Sequence, residues 1–351
     1  MKFIHVSQVN LFAPDLENRR GIRTSEDRFN DFRKLLETCN REAVDLLFIT
    51  GNLFYGAPDE KMLSYVDEAF GVLDRTRVFY VLGPNEGAEA ERIANYPFRR
   101  PVKVFTGNSI ERVYLPKLSV EIQGVGYSER TWNRTEIREL SPGKKGSVQV
   151  FLLPKDLPDV RQWPFHYVGA GGNEIIEGSS ERRLYAPGSF EPETFEPFTK
   201  HGFFVGEFGA LGRNVIGPSV RFQEGAAREY VLLDLSVSPE ESLKDVVETV
   251  KKAIVTDGTQ HLYKVRIRGV ASISLSEGMD ELFSIPEITG VENETKLEDT
   301  FSAIADSGCD DAVGRFLRDM LEREPSEGRD LAIRYGLQAL TNATEEEHDH
   351  S

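Results

Sequence analysis

Apolar positions in the first hundred residues follow two patterns in turn. Short continuous apolar runs occupy Met1–Phe12, Asp45–Thr50 and Arg77–Leu82, whereas in Ser25–Arg41 and Pro58–Arg75 the apolar residues recur every three or four positions. Continuous runs are typical of strands buried on both faces, and the second pattern is typical of amphipathic helices. The alternation of strand and helix predicts a parallel sheet with helices on its faces.

Between residues 102 and 222 the helical period disappears, and short apolar runs alternate with turns rich in Gly and Pro. This pattern predicts a mostly β region whose strands form a second sheet packed on the first. The predicted strands are Val102–Phe105, Arg112–Leu115, Val120–Val125, Ser147–Leu153, His166–Gly169, Arg183–Tyr185, Gly202–Phe208 and Val215–Phe222.

A smaller unit follows the turn at Gly225. Strands are predicted at Glu229–Leu235 and His261–Val270, with an acidic amphipathic helix at Pro239–Val255 between them. Such a β-α-β unit has the size of a small accessory domain. A short helix at Met279–Pro286 follows, and a polar linker is predicted after it.

The last part of the chain is predicted to be helical. An apolar stripe at helical spacing consists of Val313, Phe316, Leu317, Met320 and Leu321. Two interpretations of the stripe are open: it docks a partner's coiled coil, or it packs on its own domain. We predict four segments, which are a large domain at 1–224, a small α/β domain at 228–287, a helical segment at 292–341 and a disordered acidic tail at 342–351.

Charge and cysteine content narrow the class of protein. The chain has 351 residues, and 58 acidic against 42 basic side chains give a net charge of −16. Nucleic-acid phosphates repel such a protein, which disfavours tight DNA binding. The two cysteines, Cys39 and Cys309, have no zinc-motif or disulfide spacing. Because we find neither a membrane-length apolar run nor a signal-peptide cleavage site, we expect a cytoplasmic protein without membrane contact.

The candidate chemistry lies at the ends of the predicted strands. Ligand sites in open α/β sheets lie at the carboxyl ends of the strands, so the residues there decide what the protein can bind. The strand-end segments are Ser7–Asn10 (SQVN), Gly51–Phe54 (GNLF), Gly83–Glu86 (GPNE), Pro154–Asp156 (PKD) and Gly169–Glu174 (GAGGNE). They predict a single edge lined by amides, glycine and proline.

Taken in order, these segments resemble the motifs of the calcineurin-like metallophosphoesterases, and more closely those of the SbcD-type subunit of DNA double-strand-break nucleases. The family pattern is S-D-x-H, G-D-x-F, G-N-H-D, a strand-end His, G-H-x-H and a Y-P-G-S turn. This chain has SQVN, GNLF, GPNE, LLP, GGNE and YAPGS. Six short motifs in order are specific for a fold. The resemblance implies an α/β fold, namely a two-sheet metallophosphoesterase sandwich flanked by helices, with a small α/β cap domain and C-terminal helices.

The resemblance also implies that the chemistry has been lost. In this family two divalent ions of the Mn, Fe or Zn type activate water and neutralise the phosphoryl group. The positions that would bind these ions or assist the leaving group are Gln8, Asn10, Asn52, Pro84, Asn85, Pro154, Gly172 and Glu174. Only Glu174 among them can carry a negative charge. Glu86, which ends the third motif, is the other degenerate catalytic position. We therefore expect no catalytic residue, no bound metal and no cofactor.

Electrostatics give the size of this loss. Two doubly charged cations about 4 Å apart repel each other by about 17 kcal/mol at an effective dielectric constant of 20. One Glu and three neutral amides do not offset that repulsion, and amides are weak ligands for transition metals. A dinuclear centre is therefore not expected. A single hard cation on Glu174, Asn10 and Asn52 is the alternative.

The remaining reactive residues have ordinary structural interpretations. Cys39, in the middle of a predicted helix, is expected to be a buried thiol. Gly171-Gly172 could cradle an anion as a backbone nest, although no helix is predicted after it. The sequence contains neither a GxxxxGK[ST] nor a GxSxG motif. None of the histidines has a metal-ligand spacing: His5, His166 and His201 lie in or beside predicted strands, and His348 and His350 lie in the tail.

Three hypotheses for function follow. The first is a catalytically inactive SbcD-like scaffold or partner subunit of an SbcC- or SMC-like coiled-coil ATPase, with a homodimer as a further possibility and DNA binding weak or indirect. The second is an active phosphoesterase or exonuclease with a rearranged or mononuclear metal site. The third is a nucleic-acid-binding module that uses the basic doublets Arg99-Arg100, Lys144-Lys145 and Arg182-Arg183.

Overall fold

A computed structural model provides the three-dimensional structure. It describes residues 1–13, 25–107, 109–127, 143–155, 164–179, 183–192, 200–211, 214–225, 230–238, 240–259, 261–272, 275, 278–297, 312–324, 326, 328–329, 331–333 and 335–336. Contacts divide the chain into two compact units, Met1–Tyr230 and Val231–Ser351. The fold class is mixed α/β, with two large mixed sheets and several helices.

Fifteen strands lie in the described residues: β1 (Lys2–Ser7), β2 (Leu46–Gly51), β3 (Arg77–Leu82), β4 (Val102–Phe105), β5 (Glu111–Leu115), β6 (Val120–Gly124), β7 (Val148–Leu153), β8 (Tyr167–Ala170), β9 (Ile175–Ile176), β10 (Leu184–Pro187), β11 (Gly202–Leu211), β12 (Asn214–Glu224), β13 (Tyr230–Val237), β14 (Leu262–Ala271) and β15 (Ile288–Leu297). The described α-helices are α1 (Ser25–Arg41), α2 (Glu60–Phe70), α3 (Ala90–Asn95), α4 (Leu243–Asp257) and α5 (Ala312–Leu321), and 3-10 helices form at Pro84–Glu89 and Met279–Ser284.

The first sheet of the larger unit has the strand order β12-β11-β1-β2-β3-β4. Strands β1 to β4 run parallel, as the alternation of strand and helix predicts, whereas β11 runs antiparallel to both β1 and β12. In the parallel register Ser7 pairs with Thr50, and Gly51 pairs with Leu82. The carboxyl ends of β1, β2 and β3 therefore lie side by side.

Helices α1 and α2 cover one face of this sheet. Phe32 and Leu36 of α1 and Leu63 of α2 pack in one core cluster with Ile4 and Ile49 of the strands. Helix α2 begins where the Asp59 side chain accepts a hydrogen bond from the Met62 N–H at 2.7 Å. It ends at Phe70 rather than at Arg75, because Gly71 follows as the C-cap and the chain turns there.

The second sheet has the order β5-β6-β7-β8-β10-β9 and packs on the other face of the first sheet. Phe3, Phe48 and Val81 of the first sheet share a core cluster with Ile122 and Val150 of the second. The predicted second sheet is thus confirmed. Three of the strands assigned to the β-rich region, β4, β11 and β12, join the first sheet instead.

His5 lies at the centre of this interface and is fully buried. Its Nδ1 is 2.7 Å from the Tyr167 hydroxyl, and its Nε2 is 2.8 Å from Thr50 Oγ1. Burial lowers the pKa of His5 to about 3. The prediction that His5 is a packed strand residue is confirmed.

The smaller unit contains a three-stranded sheet of order β13-β14-β15. Helix α4 begins at a capping box of Ser242 and Asp245 and buries Val250 and Ile254 in the core of this unit. The polar linker predicted after Pro286 is wrong from Ile288 onward, because β15 pairs there in parallel with β14. Its outward glutamates are paired with basic residues of β14, including Glu292 and Glu294 with Arg266.

The apolar stripe of the C-terminal segment packs within its own unit. Leu317 and Met320 of α5 form a small cluster with Ile333, and Val313, Phe316 and Leu321 pack against it. The tail predicted at 342–351 lies outside the described residues. Among the described residues, no helix has the length and apolarity to span a membrane.

Replacement of Gly206 tests the packing between β11 and β1. A Cβ on Gly206 would overlap the buried Phe3 ring, which cannot move out of the interface between the sheets. We expect Gly206→Ala to lower the free energy of unfolding by about 1–3 kcal/mol in urea denaturation. Gly217→Ala on β12 is the control, since a Cβ there would contact nothing within 4 Å. Equal stability of the two variants would contradict this packing.

Candidate functional site

The strand ends named from the sequence meet at one edge of the larger unit. A Cβ on Gly51 would lie 2.5 Å from Gln8 Oε1 and 3.5 Å from the Pro154 carbonyl oxygen. A Cβ on Gly83 would overlap Asn52, and one on Gly171 would overlap the Pro154 carbonyl. Five segments therefore come together so closely that Gly51, Gly83 and Gly171 have no room for a Cβ. We call this region the strand-end edge.

The chain leaves β1 in an unusual conformation. Gln8, Asn10 and Phe12 all have positive φ, at 45°, 50° and 63°. Such values are uncommon outside glycine and cost energy, most of all for a bulky residue. The backbone is held in place by the residues after β2: the Val9 N–H donates to the Asn52 carbonyl at 2.8 Å, and the Leu11 N–H donates to the Leu53 carbonyl at 2.8 Å.

A chain of amide groups crosses the strand-end edge. The Asn52 N–H donates to Gln8 Oε1 at 2.7 Å, and the Asn85 N–H donates to Asn52 Oδ1 at 3.1 Å. At one end of this series of hydrogen bonds, Gln8 Nε2 donates to Asn173 Oδ1 at 3.4 Å. At the other end, Asn85 Nδ2 donates to the Tyr55 carbonyl at 3.0 Å. The side-chain oxygens of Gln8 and Asn52 are thus occupied by backbone donors.

Glu86 is a buried structural acid. It has no exposed surface. Its Oε1 accepts from the N–H groups of Leu53 and Phe54 at 2.6 and 2.7 Å, and its Oε2 accepts from the Gly83 N–H at 2.9 Å. Burial raises the pKa of Glu86 to about 7, although these donors and the Tyr80 hydroxyl favour the charged form and lower it.

The Gly171-Gly172 segment does not provide an anion nest. The Gly171 N–H donates to the Leu153 carbonyl at 3.0 Å, and the Gly172 N–H donates to Ser7 Oγ at 3.1 Å. Both backbone donors are therefore engaged inside the protein. Strand β9 follows at Ile175, as predicted, so no helix terminus adds to them.

The predicted metal positions differ in burial. Asn10 and Pro154 are buried, Pro84 is exposed, and Glu174 is exposed on the segment before β9. No hydrogen bond joins Glu174 to Asn10 or Asn52 within the described chain. No group of three or more His, Cys, Asp or Glu that could bind a metal occurs among the described residues. A divalent ion favours several carboxylate ligands, and Glu174 is the one acidic side chain among these positions.

No family model matches the chain, and no curated protein matches it.

The other candidate residues have structural partners. His166 Nδ1 accepts from the Gln149 N–H, and burial lowers the pKa of His166. Cys39 is buried, and burial raises the pKa of its thiol to about 12, so the predicted buried thiol is confirmed. His201 is buried next to Ser189, with its Nδ1 3.0 Å from the serine oxygen. Cys309, His348 and His350 lie outside the described residues.

The basic doublets are only partly available for phosphates. Arg99 is paired with Asp67 at 2.6 Å, and Arg100 donates to the Asp74 carbonyl. Lys144 Nζ lies 4.1 Å from the centre of the Tyr114 ring, and Arg183 donates to the Phe165 carbonyl. Arg182 lies outside the described residues.

Sequence reasoning missed several residues of the strand-end edge. The Ser7 hydroxyl accepts a hydrogen bond from the Gly172 N–H. The Asn173 side-chain oxygen accepts one from the Gln8 side chain. Tyr55 lies at the rim with 48% of its surface exposed. Ser7 and Asn173 are small polar residues at strand ends, which is the signal that could have identified them. Glu86 is only partly explained by such a local signal. One of its partners, the Gly83 N–H, is three residues away, but the Leu53 and Phe54 N–H groups lie more than thirty positions away in sequence.

The ionisation of Glu86 predicts a pH-dependent stability. The unfolded chain releases this proton near pH 4.5, whereas the folded protein keeps it up to about pH 7. The unfolded state therefore binds fewer protons in this window, and the stabilising contribution is lost as the pH rises through it. We expect the stability advantage of wild type over Glu86→Gln to shrink by roughly 1–3 kcal/mol between pH 4.5 and pH 7.5 in urea denaturation.

The matched control for this measurement is Glu91→Gln, since Glu91 is exposed on α3. The pH dependence of His5 has the opposite sign and is common to all three proteins, so it cancels in the comparison. An advantage of wild type over Glu86→Gln that stays constant across this pH range would show that Glu86 does not titrate there.

Proposed function

We propose that this protein is a catalytically inactive relative of the calcineurin-like metallophosphoesterases, closest to the SbcD-type subunits, and that it serves as a scaffold or partner subunit. One observation carries the proposal: the oxygens of Gln8 and Asn52, at positions where the family has metal ligands, accept hydrogen bonds from backbone N–H groups. Each of these oxygens already has a backbone donor, and amide oxygens are weak ligands for transition metals. Hydrolysis by metal-activated water is therefore disfavoured at this edge.

The architecture supports the proposed ancestry. Two six-stranded sheets face each other, helices cover the outer face of the first, and the strand ends converge on one edge. The six motifs of the resemblance lie in this unit. The YAPGS turn, for example, leads into Phe190, whose N–H donates to the Ser7 carbonyl at 3.0 Å beside the strand-end edge.

Metal binding and hydrolysis provide the direct test. We expect Mn²⁺, Zn²⁺ or EDTA to leave the melting temperature unchanged, because the described residues contain no group of three or more His, Cys, Asp or Glu that could bind a metal. We also expect no Mn²⁺-dependent cleavage of a phosphodiester or of a DNA end. Differential scanning fluorimetry and a cleavage assay on protein purified without chelator measure both. Stoichiometric metal with cleavage that Glu174→Ala abolishes would instead establish the second hypothesis, an active enzyme with a rearranged site.

The proposed partner is an SbcC- or SMC-like coiled-coil ATPase. Within the smaller unit the stripe on α5 is packed, but Leu331 and Tyr335 of the same C-terminal segment are 49% and 69% exposed and four residues apart. Exposed apolar side chains at this spacing suit a helical partner. They are the residues that we propose contact a coiled coil.

Copurification of the full chain from its own cells tests this partner. We expect a coiled-coil ATPase at stoichiometric amounts, and we expect the double change Leu331→Ser with Tyr335→Ser to weaken its recovery at least tenfold. Val255→Ser is the control, since Val255 is 74% exposed on α4 of the same unit. Recovery of the ATPase that is equal for the double variant and the control would reject this contact, and recovery of no such ATPase would reject the partner.

A further inference from the structure

We propose that Glu86 is an internal latch of the strand-end edge, which ties residues 51–54 to residues 83–86 so that the two turns open and close as one unit. The first turn contributes the N–H groups of Leu53 and Phe54, and the second contributes the N–H group of Gly83. All three donate to one carboxyl group, at 2.6 to 2.9 Å.

Three features make this carboxyl group the main connection between the turns. It is fully buried, so water does not replace a broken bond while the turns stay closed. No Lys, Arg or His pairs with it in the described chain, so backbone donors and the Tyr80 hydroxyl supply its stabilisation. The turns are also in direct contact, since a Cβ on Gly83 would overlap both the side chain and the backbone of Asn52.

Opening of the latch would reshape the exposed rim of the edge. Asn85 and Tyr55 are both exposed, and the Asn85 side chain donates to the Tyr55 carbonyl across the two turns. The Asn85 N–H donates to Asn52 Oδ1. A separation of the turns breaks these links together with those of Glu86. The latch therefore controls which polar groups the rim presents, and it does so whether or not the protein has the proposed function.

Hydrogen exchange of the full-length wild-type protein tests the latch without any mutation. The backbone amides of Leu53, Phe54, Gly83 and Asn85 donate the bonds that must break together. In NMR-detected exchange at low urea concentrations, we expect these four amides to share one opening free energy and one dependence on urea. Separate values for the two turns would overturn the proposal.

Glu86→Gln then tests the carboxyl group itself. Its amide oxygen can still accept from Leu53 and Phe54, but its NH₂ group faces the Gly83 N–H, which is also a donor. We expect exchange at all four amides to accelerate at least tenfold together, while amides of β7 do not change relative to Glu91→Gln. Acceleration at Gly83 alone would show that the turns open independently.

Discussion

The close approach of strand ends is the constraint on which the rest of the larger unit depends. Parallel strands place their carboxyl ends at one edge, and here five segments come so close that Gly51, Gly83 and Gly171 leave no room for a Cβ. Gly51 also has a φ of +79°, which favours glycine. At Gly83 and Gly171 the atoms that would meet a Cβ include backbone atoms of residues 51, 52 and 154, whereas at Gly51 the nearest atom is Gln8 Oε1.

Side-chain oxygens hold the turns of the edge together. The amide oxygens of Gln8 and Asn52 and the buried carboxyl group of Glu86 accept backbone N–H donors. Each neutral bond contributes only about 0.5–1.5 kcal/mol net, and bonds to a charged group contribute about 1.5–3. Since burial opposes the charge of Glu86, its three donors must stay in place together. The same set of bonds that makes the edge stable also makes it cooperative.

Periodicity predicted most elements of the fold because apolar burial decides where they form. Helix α1 and strands β3 and β4 have the predicted bounds, and most other strands differ by a few residues. Strand β15 was missed because its outward face carries Glu292 and Glu294, whose charges are satisfied by Arg266 and Arg268 of another strand. A pattern of this kind resembles a polar linker until the cross-strand partners are known.

The site was predictable as a set of strand ends but not as a network. The sequence located Gln8, Asn52 and Asn85 at one edge. It contained no sign that Gln8, Asn10 and Phe12 adopt positive φ, which costs about 1–2 kcal/mol for each non-glycine residue in this region.

Asn tolerates a positive φ better than Phe, so Phe12 depends most on its surroundings. The bonds that Val9 and Leu11 donate to the turn after β2, and the bond that Tyr55 of that turn donates back to the Leu11 carbonyl, offset that cost. The strained backbone after β1 and the turn after β2 therefore depend on each other, and neither would keep its conformation alone.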